Sequence, residues 1–275
     1  MARRPARIEL SGALALVTGA GSGIGRATAL AMADRGATVL CADLHADAAE
    51  KTAAACGERG ASASAVTVDV ADRDAMTTLA AEVTAEHGAL GVLVNNAGVG
   101  MSGRLTDMAL ADWDWIRSIN LDGVVNGCAL FGPAMLERGR GHVVNLSSGL
   151  GYTPTATEPA YVTTKAGVLA LSQCLRADWG RSGVGVTAIC PGVINTPIID
   201  STRFLGERAS TEARARTRKV FRKGHRPEQV ADAIVDAIAR DRAVVPVGVE
   251  ARVGWYLHRF APLALQQAVA RGGRR

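Results

Sequence analysis

The chain has 275 residues, 48% of them hydrophobic and 21% charged. That composition excludes a disordered chain and suits one large domain rather than two. The formal charge is +5, but Arg3, Arg4, Arg7, Arg271, Arg274 and Arg275 stand at the two ends, so the body is close to neutral and no nucleic-acid partner is expected.

In chain order, short apolar runs alternate with longer helical patterns. ALALVTG (13–19) reads as a buried strand, and GIGRATALAMADRG (23–36) as a helix ended by glycine. ATVLCAD (37–43) is the next strand, followed by an alanine-rich helix over 45–60. SAVTVDV (64–70), GVLVNNAG (91–98), GHVVNLSS (141–148), VGVTAICPG (184–192) and RAVVPV (242–247) continue the strand series, with helical patterns between them. Strands apolar on both faces and separated by helices imply a parallel sheet covered on both sides, a doubly wound α/β domain. Two segments break the alternation: the arginine-rich stretch 196–225, interrupted by Gly206, and an extension after about residue 250. The apolar run near the start, LALV, is too short for a signal peptide, and no uninterrupted apolar run reaches membrane-spanning length. The cysteines (41, 56, 128, 174 and 190) are scattered and include no C-x-x-C pair. They are expected to be buried reduced thiols in a cytoplasmic protein, without a metal site.

The loop TGAGSGIG (18–25) joins the first strand to the first helix. Gly19, Gly23 and Gly25 form a variant of the dinucleotide fingerprint, in which glycines let the backbone approach a pyrophosphate at a helix N-terminus. Asp43 ends the second strand roughly 20 residues further on, where an acid accepts the adenosine ribose hydroxyls and repels a 2′-phosphate. No arginine or lysine accompanies it at Leu44, His45 or Ser22, so NAD is expected over NADP.

With Asp69–Val70, NNAG (95–98), Asn120 in RSINLDG, the serines 147–148, YVTTK (161–165) and PGVINTP (191–197), the chain resembles the short-chain dehydrogenase/reductase family over about residues 10–250. The resemblance implies a Rossmann fold with a seven-stranded parallel sheet. It also implies cofactor contacts from Ser22 and Ile24 in the glycine loop, from Asp69 and Val70 beside the adenine, and from Asn96, Ala97 and Gly98. Ile194 and Thr196 are expected at the nicotinamide carboxamide.

Tyr161 and Lys165 stand one helical turn apart and share a face. A neighbouring ammonium favours a phenolate, so the lysine is expected to bring the phenol toward the working pH, where it can exchange a proton with an alcohol. Ser148, at the family's register before the tyrosine, is expected to hold the reacting oxygen; Ser147 is the less favoured neighbour. By resemblance, Lys165 also bonds the nicotinamide ribose, and Asn120 holds a water that links the lysine to solvent.

The expected activity is oxidation of a hydrophobic, even lipid-like, secondary alcohol to a ketone, or the reverse. Met101, Leu150, Tyr152, Val193, Ile198, Ile199 and Phe204 are the expected pocket wall, and 196–225 the lid. The alternatives are an NADP-dependent carbonyl reductase and a catalytically silent nucleotide-binding regulator. The resemblance further implies a homo-oligomer, a tetramer or dimer. The extension 251–275 reads as an amphipathic element that caps the pocket or a neighbouring subunit, or that touches a membrane surface.

Overall fold

Residues 8–272 are described by the computed structural model; the basic positions Arg3, Arg4, Arg7, Arg274 and Arg275 lie outside the described residues. Strand β1 (Leu14–Thr18) leads through the glycine loop into α1 (Gly23–Ala33), then β2 (Thr38–Asp43), α2 (Ala46–Gly57) and β3 (Ala63–Thr67). Helix α3 (Arg73–His87) is started by Asp72, whose carboxylate accepts from the Asp74 and Ala75 N–H groups. It returns the chain to β4 (Val92–Asn95) and the short β5 (Met101–Ser102). Helix α4 (Leu110–Arg117) runs through one π-turn (Ser118–Asp122) into α5 (Gly123–Arg138), and β6 (Gly141–Leu146) follows.

Helix α6 (Pro159–Trp179) precedes β7 (Val184–Pro191), and β8 (Arg203–Phe204) and α7 (Thr211–Arg222) lie in the arginine-rich stretch 196–225, the expected lid. Helix α8 (Pro227–Arg240), β9 (Val244–Val247), α9 (Val249–Phe260) and α10 (Leu263–Gly272) complete the fold.

Seven strands pair in parallel in the order β3-β2-β1-β4-β6-β7-β9. This is the expected doubly wound α/β Rossmann fold. Side chains alternate along each strand, so one sheet supplies two cores. Val17 and Val39 pack with Met32, Ile234 and Ile238 from α1 and α8. Leu16 and Leu40 face the other way, in a core that includes Phe131, Met135, Val168 and Trp179 from α5 and α6. The chain runs outward from β1 to β3 and then crosses back to β4. This reversal opens a crevice at the carboxyl ends of β1 and β4.

The observed strands are one to four residues shorter than the apolar runs; β4 loses most at its end, where Asn96, Ala97 and Gly98 leave the sheet to line the cavity. The stretch Leu110–Arg138 is long and apolar enough to cross a membrane, but half of its most apolar window is buried inside the fold. Four cysteines are buried as expected; Cys174 is exposed, on the outer side of α6.

Candidate active site

A cavity of about 980 Å³ runs along the carboxyl ends of the strands. Its first wall is the glycine loop, which the sequence folds tightly for two reasons. Gly19 has φ +64°, in the left-handed region that favours glycine. A Cβ on Gly25 would stand 2.0 Å from the Gly19 carbonyl oxygen, so the first turn of α1 lies directly on the loop. Gly25 is thereby corrected from cavity wall to packing residue: Gly19, Ser22, Gly23 and Ile24 line the cavity, and it does not.

Ser22 occupies the N-cap of α1 without a side-chain cap bond, and the first turn contains no acid. The N–H groups there face the cavity with the positive end of the helix dipole behind them, the chemistry that binds a pyrophosphate.

Asn96 fastens this loop to the sheet: its Nδ2 donates to the carbonyls of Thr18 at 2.8 Å and Gly19 at 3.2 Å. Asp43 Oδ2 accepts from Gly21 N at 2.8 Å and Oδ1 from His45 N at 3.0 Å. Each carboxylate oxygen has a second lone pair, and the residue lines the cavity, so ribose hydroxyls can still reach it. Asp69 and Val70 line the same end, Ala97 and Gly98 the middle, and Ile194 and Thr196 the far side. Among the described residues no arginine lines the cavity. These donors, this acid and this open helix end fit a dinucleotide.

Ser148, Tyr161 and Lys165 stand together on the next wall. Ser148 caps a short 3-10 turn after β6, where its Oγ accepts from Leu150 N at 3.1 Å, and its hydroxyl faces the Tyr161 phenol. Ser147 turns away and donates to the Lys165 carbonyl oxygen at 2.7 Å, so it holds the rear of α6.

Lys165 is buried. Its Nζ donates to the Leu146 carbonyl oxygen at 2.8 Å and lies 5.9 Å from the centre of the Tyr161 ring. Burial pushes the Tyr161 phenol up to about 12, the Ser148 hydroxyl pulls it down, and Glu158 adds to the rise. Burial also brings the Lys165 ammonium down to about 8. The expected lowering of the phenol by Lys165 is therefore corrected for this state. Desolvation outweighs the ammonium because Lys165 directs its proton to a backbone carbonyl rather than to the phenolic oxygen.

Asn120 is also repositioned. It is fully buried in the π-turn and does not line the cavity. Its Oδ1 accepts from Val99 N at 2.8 Å and its Nδ2 donates to Val99 O at 2.9 Å. The side chain thus secures the strand that follows NNAG, close behind Gly98 and Lys165. π-Turns recur at functional sites because they break the regular pairing of backbone carbonyls.

The substrate side is mostly apolar, with Met101, Leu150, Ile198, Ile199 and Phe204 on its surface and Val193 at its edge. Tyr152 is corrected from wall to strut: it is buried, its Oη donates to Ala251 O at 2.8 Å, and its ring meets Trp255 edge-on at 5.2 Å. Helix α9 is thereby held over the cavity's margin, and Glu250 and Ala251 reach it.

Arginines fasten the stretch expected to form the lid. Arg203 pairs with Asp112 at 2.9 Å and stacks on Trp115 at 3.7 Å, and Arg218 pairs with Asp200 at 3.1 Å. From α7 only Thr217 and Phe221 reach the cavity.

Sequence reasoning missed four residues here. Glu250 Oε1 accepts from Val193 N at 2.8 Å and Oε2 faces His225 Nε2 at 3.1 Å, which ties the PGVINTP loop to the end of the lid. Glu158, Ser102 and Arg208 form a polar corner beside Tyr161, in which Arg208 Nε donates to Ser102 Oγ at 3.0 Å. No spacing rule links positions so far apart in the chain.

Fold and crevice together define a dinucleotide-binding α/β protein. A family model described as short chain dehydrogenase matches residues 13–204. The chain belongs to the short-chain dehydrogenase family of oxidoreductases. It is 42% identical over 259 residues to the probable oxidoreductase EphD of Mycobacterium tuberculosis, covering 92% of this chain and 44% of that protein. The chain thus spans less than half the length of that relative. It is 41% identical over 191 residues to the D-threitol dehydrogenase of Mycolicibacterium smegmatis, covering 69% of this chain and 73% of that one. A short-chain dehydrogenase/reductase from Burkholderia phymatum, crystallised with NAD, superposes with TM-score 0.84 at 29% identity, covering 91% and 93% of the two chains.

Proposed function

We propose that the protein interconverts a hydrophobic secondary alcohol and its ketone with NAD as cofactor. The observation that carries this reading is the common wall formed by Ser148, Tyr161 and Lys165 beside the glycine-loop crevice. NAD, when bound, supplies the hydride acceptor, and as NADH the donor. Asp43 would accept from its adenosine ribose, and the first turn of α1 would hold its pyrophosphate. The carboxylate at Asp43, with no arginine among the described residues lining the cavity, favours NAD over NADP.

The chain's own groups manage the oxygen and its proton. Ser148 Oγ offers a hydrogen bond to the substrate oxygen as charge develops there. Tyr161 is a neutral phenol in this state and stands ready to give its proton to the oxygen of a ketone. In the oxidative direction the phenol first gives its proton to solvent, and the phenolate then takes the alcohol proton. Lys165, cationic below about pH 8, supports negative charge at the phenol and would bond the nicotinamide ribose. Asn120 keeps the strand after NNAG in place behind them.

Tyr161→Phe should lower turnover by ~10²–10⁴ while NAD still binds by fluorescence titration. Near-normal turnover in that variant would sink the assignment. The apolar wall from Met101 to Phe204 supports a hydrophobic substrate, and the name of the D-threitol relative supports an alcohol.

The proposed assembly is a homo-oligomer, a tetramer or dimer, built on α5 and α6; exposed Val125 on α5 supports an outer contact. Four buried unpaired thiols support a cytoplasmic location. A peripheral membrane contact through α9 and α10 rests on the exposed stripe Val249, Val253, Tyr256, Phe260 and Leu263. Co-sedimentation with anionic liposomes, lost on removing residues 252–275, is the result expected of it.

A further inference from the structure

Glu158 is half-buried, lines the cavity and is unused by the chemistry above. It precedes Tyr161 by one turn at the start of α6, at the N-cap position, yet its carboxylate makes no cap bond with the helix. The side chain instead faces Ser102 of β5. Three segments hold it there. Gly103 N donates to the Thr157 carbonyl oxygen at 2.7 Å and fastens β5 to the approach to α6. Ser102 pairs with Phe204 of the lid strand β8. Arg208, just beyond, spends its Nε on Ser102 Oγ and acts on Glu158 as a neighbouring charge.

A carboxyl partly withdrawn from water beside an apolar wall costs free energy unless hydrogen bonds compensate it. Ser102 brings one hydroxyl to it, and a carboxyl has more acceptor sites than one hydroxyl fills, so capacity is left over toward the cavity it lines. Burial accordingly raises the Glu158 carboxyl above its usual range.

We propose that Glu158, with Ser102, is a specificity site that accepts a hydrogen bond from a second hydroxyl of the substrate, close to the carbinol held by Ser148 and Tyr161. This deepens the dehydrogenase reading and rests on it. A neutral hydroxyl suits the corner better than an ammonium, because Arg208 already places a cation beside it. A hydroxyl can also donate to the carboxyl in either protonation state. The substrate class is then an apolar chain carrying two neighbouring hydroxyls, or a hydroxyketone, rather than a plain secondary alcohol. A site built to bond a hydroxyl rejects the analogue lacking it, since its buried acceptor is then left unpaired.

The test compares 2,3-octanediol with 2-octanol on the NAD-loaded protein, reading binding by tryptophan emission, since Trp115 lines the cavity, and turnover by nicotinamide absorbance. The diol is expected to bind tenfold or more tightly than the mono-alcohol, with the difference mostly in KM. Glu158→Ala, which removes the acceptor, should bring that ratio close to one, and Ser102→Ala should lower it in the same direction and serves if the first variant fails to fold. Equal binding of the two alcohols by the unaltered protein, or an unchanged ratio in both variants, overturns the proposal. Selective diol binding that collapses in Glu158→Ala, in a protein that oxidises neither alcohol, upholds the site and sinks the dehydrogenase reading instead.

Discussion

The two ends of the same parallel sheet treat polar groups in opposite ways. At the carboxyl ends, Ser22, Asp43, Ser148 and Tyr161 line an open cavity and keep bonding capacity to spare. At the amino ends, polar groups are consumed by one another. Arg176 makes a two-pronged pair with Asp241, both bonds at 2.8 Å, and its NH1 also donates to Val186 O at 2.9 Å. His142, fully enclosed, shares a 2.8 Å bond with Thr187, and Arg138 donates to Ala89 O at 2.7 Å. Satisfied polar groups stabilise; unsatisfied ones that face a cavity await a ligand. The contrast follows from topology, because only the carboxyl ends carry the crevice where the strand order reverses.

Four substitutions would break or sharpen that contrast. The largest effect is expected from Gly25→Ala, whose Cβ collides with the Gly19 carbonyl oxygen. It should abolish dinucleotide binding and cost on the order of 3 kcal/mol of stability, read by titration and by denaturant unfolding.

His142 comes next. Burial holds its imidazole down at about 4, against an ordinary value of 6.5; Asp241 opposes the shift and Arg176 adds to it. The unfolded chain therefore takes up a proton that the folded one refuses. Stability from this group is full above about pH 6.5 and falls as pH drops toward 4, by about 3 kcal/mol in all. His142→Gln should flatten that part of the stability–pH curve, with cofactor affinity untouched. An unchanged curve would show that carboxylates alone set the acid limb.

Arg176→Ala should cost about 2 kcal/mol, since it strands a partly buried carboxylate, and leave NAD affinity unchanged. A large loss of affinity would show the two ends to be coupled. The smallest change is expected from Asp43→Asn, about a tenfold weakening of NAD with a relative gain for NADP, because one charged acceptor is lost while the loop bond from Gly21 can persist. No change in the NAD-to-NADP ratio would dismiss Asp43 as the discriminating acid.

Much of the cavity's cofactor end was legible in the chain because backbone geometry demands particular residues there. A positive φ at position 19 and a carbonyl in contact with position 25 leave room for little besides glycine, so the loop carries its own signature. The Tyr161–Lys165 pair was legible for a similar reason, as helical spacing puts both on one face. The substrate end was not. Ser102, Glu158 and Arg208 are brought together only when β5, the start of α6 and the lid strand converge. Tyr152 reads as pocket wall in the chain, yet its hydroxyl bonds Ala251, 99 residues away.

By itself the sequence determined the order of strands and helices, the glycine loop and the shared helix face of Tyr161 and Lys165, because each depends on local sterics or on spacing along one element. Only the tertiary structure decided protonation and partnership. Burial, which no local pattern encodes, keeps Tyr161 a neutral phenol and directs Lys165 to the Leu146 carbonyl. It also turns Asn120 inward as a brace and leaves Glu158 facing the cavity beside Ser102.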